Sequence, residues 1–122
     1  MENNKTMQGR ISALLMEMGA VPALKGFHYL KEAIMLAVDD EYYAMNITTA
    51  VYPHISQKYS ISVFAAERAI RLTINKSWNA RDKSRAEEVF RSTLQGNSDI
   101  PTNSMFIASL AEWLKYNSDL MN

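Results

Sequence analysis

The stretch that decides the fold is Ser62 to Trp78, SVFAAERAIRLTINKSW. Val63, Ala66, Ile70, Ile74 and Ser77 recur at three- and four-residue steps, which places them on one side of an α-helix and predicts an inward face. Glu67, Arg68, Arg71 and Asn75 fall on the other side. Two arginines, an acid and an amide on one helix face match the chemistry of base edges in a DNA major groove, where Arg suits guanine and Asn suits adenine. They suit an ordinary solvated face equally well, because a Glu67 and Arg71 pair four residues apart adds only a few tenths of a kcal/mol to a helix.

Working outward, Tyr59-Ser60-Ile61-Ser62 reads as a short turn with Ser62 as N-cap. Before it, Asn46 is a candidate N-cap for a helix carrying Ile47, Ala50, Val51 and Ile55. Pro53 removes the hydrogen bond to the Thr49 carbonyl, so that helix is kinked or restarts there. Two helices joined by so short a turn, the second with arginines outward, predict a helix-turn-helix. Upstream, residues 1–9 read as a polar tail, and Ile11, Leu14, Leu15 and Met18 define a helix from about Met7 to Met18 that stops at Gly19. Ala20-Val21-Pro22 is a connector and Gly26 a second weak point, after which Phe27, Leu30, Ile34, Ala37 and Val38 carry a helix to about Asp39.

Downstream, Asn79 to Asp82 reads as a loop, and Ala86, Val89, Phe90 and Leu94 as the apolar side of a fifth helix. Gln95-Gly96-Asn97-Ser98-Asp99 is the clearest loop signal. Pro101-Thr102-Asn103-Ser104 offers turn and cap chemistry ahead of a final helix with Phe106, Ile107, Leu110, Trp113 and Leu114 inward. No segment alternates with period two for long enough to make a strand. The expectation is one all-α domain of about six helices over residues 10–118, with frayed tails at 1–9 and 119–122.

Composition narrows the function. At 122 residues the chain is one domain in size, and 48% apolar with 21% charged residues is too apolar for intrinsic disorder. The absence of cysteine excludes disulfides, thiolate metal sites and cysteine nucleophiles. No apolar run approaches the ~20 residues that span a bilayer, and MENNKTMQGR lacks a signal-peptide core, so a cytoplasmic protein is expected. Thirteen basic and thirteen acidic side chains cancel, a mild argument against nucleic acid. Their distribution argues the other way, because Lys58 to Arg91 holds eight basic residues against four acidic ones.

Catalytic and metal chemistry find little support. His28 and His54 sit in no ligand spacing, Asp39-Asp40-Glu41 reads as a solvated loop after a helix, and the eight methionines suit core gaps. No glycine loop for phosphates and no nucleophile with its base is visible, so no cofactor or metal is expected.

The stretches GAVPALKGFHYLKEAI (19 to 34), ITTAVYPHISQKYSISVFAAERAIRLTINKSW (47 to 78) and PTNSMFIASLAEWL (101 to 114) add a resemblance. Together they are similar to the DNA-binding effector domain of the sporulation master regulator, the response regulator that ends the sporulation phosphorelay of endospore-forming Firmicutes. The resemblance spans about residues 10 to 116 and includes V-P-x-x-K-G-x-x-Y-L-x-E-A-I, E-R-A-I-R and P-T-N-S-x-F-I-A. It implies six helices, with the fourth entering the major groove of a short promoter element. It also implies base reading by Glu67, Arg68 and Arg71, head-to-tail homodimers on tandem sites with the last helix in the contact, and contact with the sigma subunit of RNA polymerase. Lys58, Ser60, Ser62 and Arg81 flank the reading helix as candidate backbone contacts, with Asn75 as a lesser base-edge candidate. Family members usually carry an arginine where this chain has Ala65 and a polar or histidine residue where it has Leu72, so the reading surface is less polar here. The family also joins this domain to an N-terminal phosphoacceptor receiver domain, which ten residues of polar tail cannot form; the chain is expected to be either an effector part or a free-standing relative. The alternative expectation is a protein-interaction module or decoy that keeps the fold with weak or no DNA binding. A small-molecule-binding helical bundle, suggested by aromatic and methionine content alone, is the third.

Overall fold

The computed structural model describes residues 4–91 and 99–117. Among them the fold is all-α, with seven α-helices: α1 (Asn4–Glu17), α2 (Lys25–Asp39), α3 (Glu41–Met45), α4 (Tyr52–Tyr59), α5 (Val63–Ser77), α6 (Lys83–Phe90) and α7 (Asn103–Tyr116). The expected loop at 95–98, the end of the fifth helix at Leu94 and the tail at 119–122 lie outside the described residues.

Helix α2 is the axis of the domain. Phe27, Leu30, Ala33, Ile34 and Ala37 are buried along it, and it packs against α7, α5, α3 and α1. The apolar stripes foreseen in the other helices converge on it, with Ile11, Leu14 and Leu15 from α1, Met18 just past its end, and Phe106, Ile107, Leu110 and Leu114 from α7 all fully buried. Burial of each such side chain contributes about 1.5–3 kcal/mol, which fixes the helices around α2.

Two glycines set how closely helices approach. Gly19 stops α1 with φ of +90°, and a Cβ there would press on the Ser77 carbonyl at the end of α5. Gly26, expected to be a weak point, lies inside α2 instead. A Cβ at Gly26 would collide with the Ala69 carbonyl oxygen and with Thr73, so its missing side chain is what seats α2 on the back of α5.

Several expectations are corrected. Helix α1 begins at Asn4 and buries Met7, so residues 4–9 are helix rather than tail; the residue that overrides the polar pattern is Met7, in phase with Ile11 and Leu14. The acidic run is not all loop: the Asp40 carboxylate accepts from the Tyr42 amide and starts the short helix α3. Asn46 does not cap a regular helix, since its side chain donates back to the Tyr42 carbonyl and a π-helical turn follows over Ile47–Val51. Pro53 then stands in the first turn of α4, which follows the π-helical turn directly, with Val51 and Tyr52 both at right-handed helical angles. Among the described residues the short helix α3, which starts within the acidic run, is the one added to the about six expected.

Candidate nucleic-acid interface

Helices α4 and α5 form a helix-turn-helix. α4 ends on Ser60 in the left-handed conformation at φ 55° and ψ 47°, with the Ile61 amide donating back to the Ser56 carbonyl. This is a Schellman-type stop on a non-glycine residue, further held by the Ser56 hydroxyl donating to the Ile61 carbonyl. Ser62 then starts α5, its Oγ accepting from the Ala65 amide at 2.9 Å, as its position predicted. Both serines expected near DNA therefore also have local work in shaping the turn.

Ala66, Ile70, Thr73, Ile74 and Ser77 are the buried side of α5. Val63 is not among them: it is 38% exposed, because the first turn of α5 overhangs the core. Glu67, Arg68, Arg71 and Asn75 are exposed on the outer side, and no side chain among the described residues forms an ion pair with Glu67, Arg68 or Arg71. The Glu67 and Arg71 bridge that a salt-bridged surface would use is not made.

The back of this helix is braced from α7. Asn103, buried at the start of α7, donates through Nδ2 to the Glu67 carbonyl at 3.1 Å and to the Tyr52 hydroxyl at 3.2 Å, tying α7 to both helices of the motif. Burial pushes the Tyr52 phenol above its ordinary pKa, with the Asn103 hydrogen bond acting in the opposite direction. The local pattern shows only cap chemistry here, which Thr102 supplies by accepting from the Met105 amide. The signal for Asn103 was a polar residue in phase with the Phe106, Ile107 and Leu110 stripe.

The flanking cations differ in availability. Lys58 Nζ lies 2.6 Å from Glu32 Oε1, and His54 Nε2 lies 2.9 Å from Oε2 of the same carboxylate, so α4 is clamped to α2 by one acid. Burial would raise the Glu32 pKa, but hydrogen bonds and charge from Lys58 and His54 outweigh it and hold the carboxyl below its ordinary value. The Glu32 hydrogen bond raises the Lys58 ammonium in turn. Arg81 stacks its guanidinium 4.4 Å from the Trp78 ring centre and donates to the Trp78 carbonyl. Two lysines not foreseen as site residues, Lys25 and Lys76, are exposed and line one shallow groove of about 480 Å³ beside Leu72 and Asn75.

The family model for the sporulation initiation factor Spo0A C terminal matches residues 11–114. The chain belongs to that family. It is a family of DNA-binding regulator domains rather than enzymes, so a DNA-binding effector domain in transcription regulation is the function at family level. The Spo0A C-terminal match runs from the middle of α1 through most of α7, and thus covers the helix-turn-helix and its Asn103 brace together. Among the described residues no helix is long and apolar enough to cross a membrane, and no cluster of three or more potential metal ligands occurs.

Proposed function

We propose that this domain reads promoter DNA sequence-specifically by laying α5 in the major groove. Arg68 and Arg71 fork onto guanines and Glu67 accepts from a cytosine amine. The observation that carries this reading is the outer face of α5. It presents two arginines and an acid that no ion pair among the described residues engages, on a helix whose opposite side is fixed to α2 and α7. Lys25 and Lys76 are the better placed cations for phosphates, because Lys58 and Arg81 reach a backbone only by exchanging their Glu32 and Trp78 contacts. The resemblance also supports head-to-tail pairing on tandem sites through α7, with the sigma subunit as a further partner.

The rival is a fold-retaining interaction module with little DNA affinity. Zero net charge and the internal engagement of Lys58 and Arg81 favour it. A gel-shift salt titration decides between them. Each phosphate neutralised contributes about 0.9 to the slope of log K against log salt, so three or four contacts make binding fall steeply from 50 to 200 mM. Negligible binding at low salt with no salt dependence would select the rival.

A further inference from the structure

The outer face of α5 carries more than charge. Phe64 is 70% exposed and Leu72 is 53% exposed, and neither belongs to the partly buried apolar side chains that pack against the core. Phe64, Arg68, Leu72 and Asn75 follow one another at steps of four, four and three residues, so they share the side of the helix opposite Ala66, Ile70 and Ser77. The two large apolar side chains therefore bracket Arg68 along one ridge, with Arg71 on the row beside it and still between them in the chain. In a major groove the one apolar group on a base edge is the C5-methyl of thymine. Eight residues of helix rise about 12 Å, and base pairs stack about 3.4 Å apart, so the bracket spans three to four base pairs.

We propose that Phe64 and Leu72 are specificity-determining residues that recognise thymine methyl groups on either side of the pairs read by Arg68 and Arg71. The proposal rests on the base-reading role of α5 given above. Asn75, one turn beyond Leu72 and between Arg71 and Lys76, is left to the adjoining pair.

The test uses the full chain and a duplex enriched from a random pool, with affinity followed by fluorescence anisotropy. Each thymine is replaced singly by uracil, which deletes the methyl and nothing else. In the parent, two replacements three to four pairs apart are expected to weaken binding about fourfold each, the worth of one buried methyl-sized group. Leu72→Ala loses sensitivity to one of them and Phe64→Ala to the other. Because both side chains are exposed, the variants keep the fold, and the uracil series on the parent needs no variant. The proposal is overturned if no uracil replacement weakens the parent while Arg68→Ala still loses affinity at one base pair, an outcome that leaves base reading standing. It is also overturned if the methyl effect persists in both alanine variants. Failure to enrich any duplex removes base reading and this proposal with it.

Discussion

Replacing Gly26 by alanine puts one methyl group into the contact on which the reading helix is seated. The added Cβ would lie well under 3 Å from the Ala69 carbonyl oxygen and from Thr73 Oγ1, and 2.9 Å from Thr73 Cβ. A threonine hydroxyl can rotate, but a helix carbonyl cannot, so α2 and α5 must part by roughly half an ångström or more to restore ordinary contact. Overpacking of this kind costs about 1–3 kcal/mol, and a backbone obstacle places it near the upper end. Helix propensity works the other way by at most about 1 kcal/mol. The net loss is about 2 kcal/mol, roughly 6–10 °C in Tm for a domain of this size. Thermal unfolding followed by circular dichroism at 222 nm measures it. Thr73→Ala in the Gly26→Ala background should recover only part of the loss, since the Ala69 carbonyl stays in place. A Gly26→Ala protein as stable as the parent, or more stable, would refute the close-approach reasoning, because propensity alone predicts that result.

Other perturbations report on the supports of the site. Asn103→Ala removes a buried hydrogen bond to α4 and a part-buried one to α5 and should cost about 1–3 kcal/mol by chemical denaturation; Asn103→Asp should cost more, since it faces the Glu67 carbonyl with an acceptor. The Glu32 carboxyl is held below its ordinary pKa, so its contribution is complete above the ordinary carboxylate range and is lost as pH falls through the folded value. The Tm advantage of the parent over Glu32→Gln, measured from pH 7 to 3, should therefore shrink below about pH 4.3; an advantage that is constant with pH would contradict the clamp. Arg85 joins Glu17 of α1 at 3.1 Å and lies 4.8 Å from the Trp113 ring centre on α7, so Arg85→Ala should lower stability by about 1 kcal/mol in urea titration, more than an exposed ion pair would.

Much of this architecture is written in local pattern. Ser62 as a cap, Gly19 as a stop, the apolar stripes of α1, α2 and α7, and Pro53 in the first turn of α4 all follow from residue type and spacing within a few positions. What local pattern could not show depends on chain segments far apart in sequence. Gly26 reads as a helix breaker until α5 is placed against it, some 43 to 47 positions later at Ala69 and Thr73. Lys58 reads as a cation for phosphate until Glu32, 26 residues upstream, is found on it. Asn103 reads as a cap until its amide is seen 36 residues back on Glu67. Val63 fits the inward period of α5 but is exposed, because periodicity says which side a residue is on and not where the core ends. The outward positions of Glu67, Arg68, Arg71 and Asn75 were legible for the complementary reason, since an exposed face needs only its own helix to define it.

The proposed function stands on base reading by Arg68 and Arg71 of α5. Its most direct test is the affinity of the parent, Arg68→Ala and Arg71→Ala for an enriched duplex and for its single base-pair variants at fixed salt. Each alanine variant is predicted to lose about 1–3 kcal/mol on the enriched duplex and to stop discriminating at one base pair, while discrimination elsewhere is retained. If both variants bind the enriched duplex as tightly as the parent and discriminate every position as it does, α5 does not read bases through these arginines.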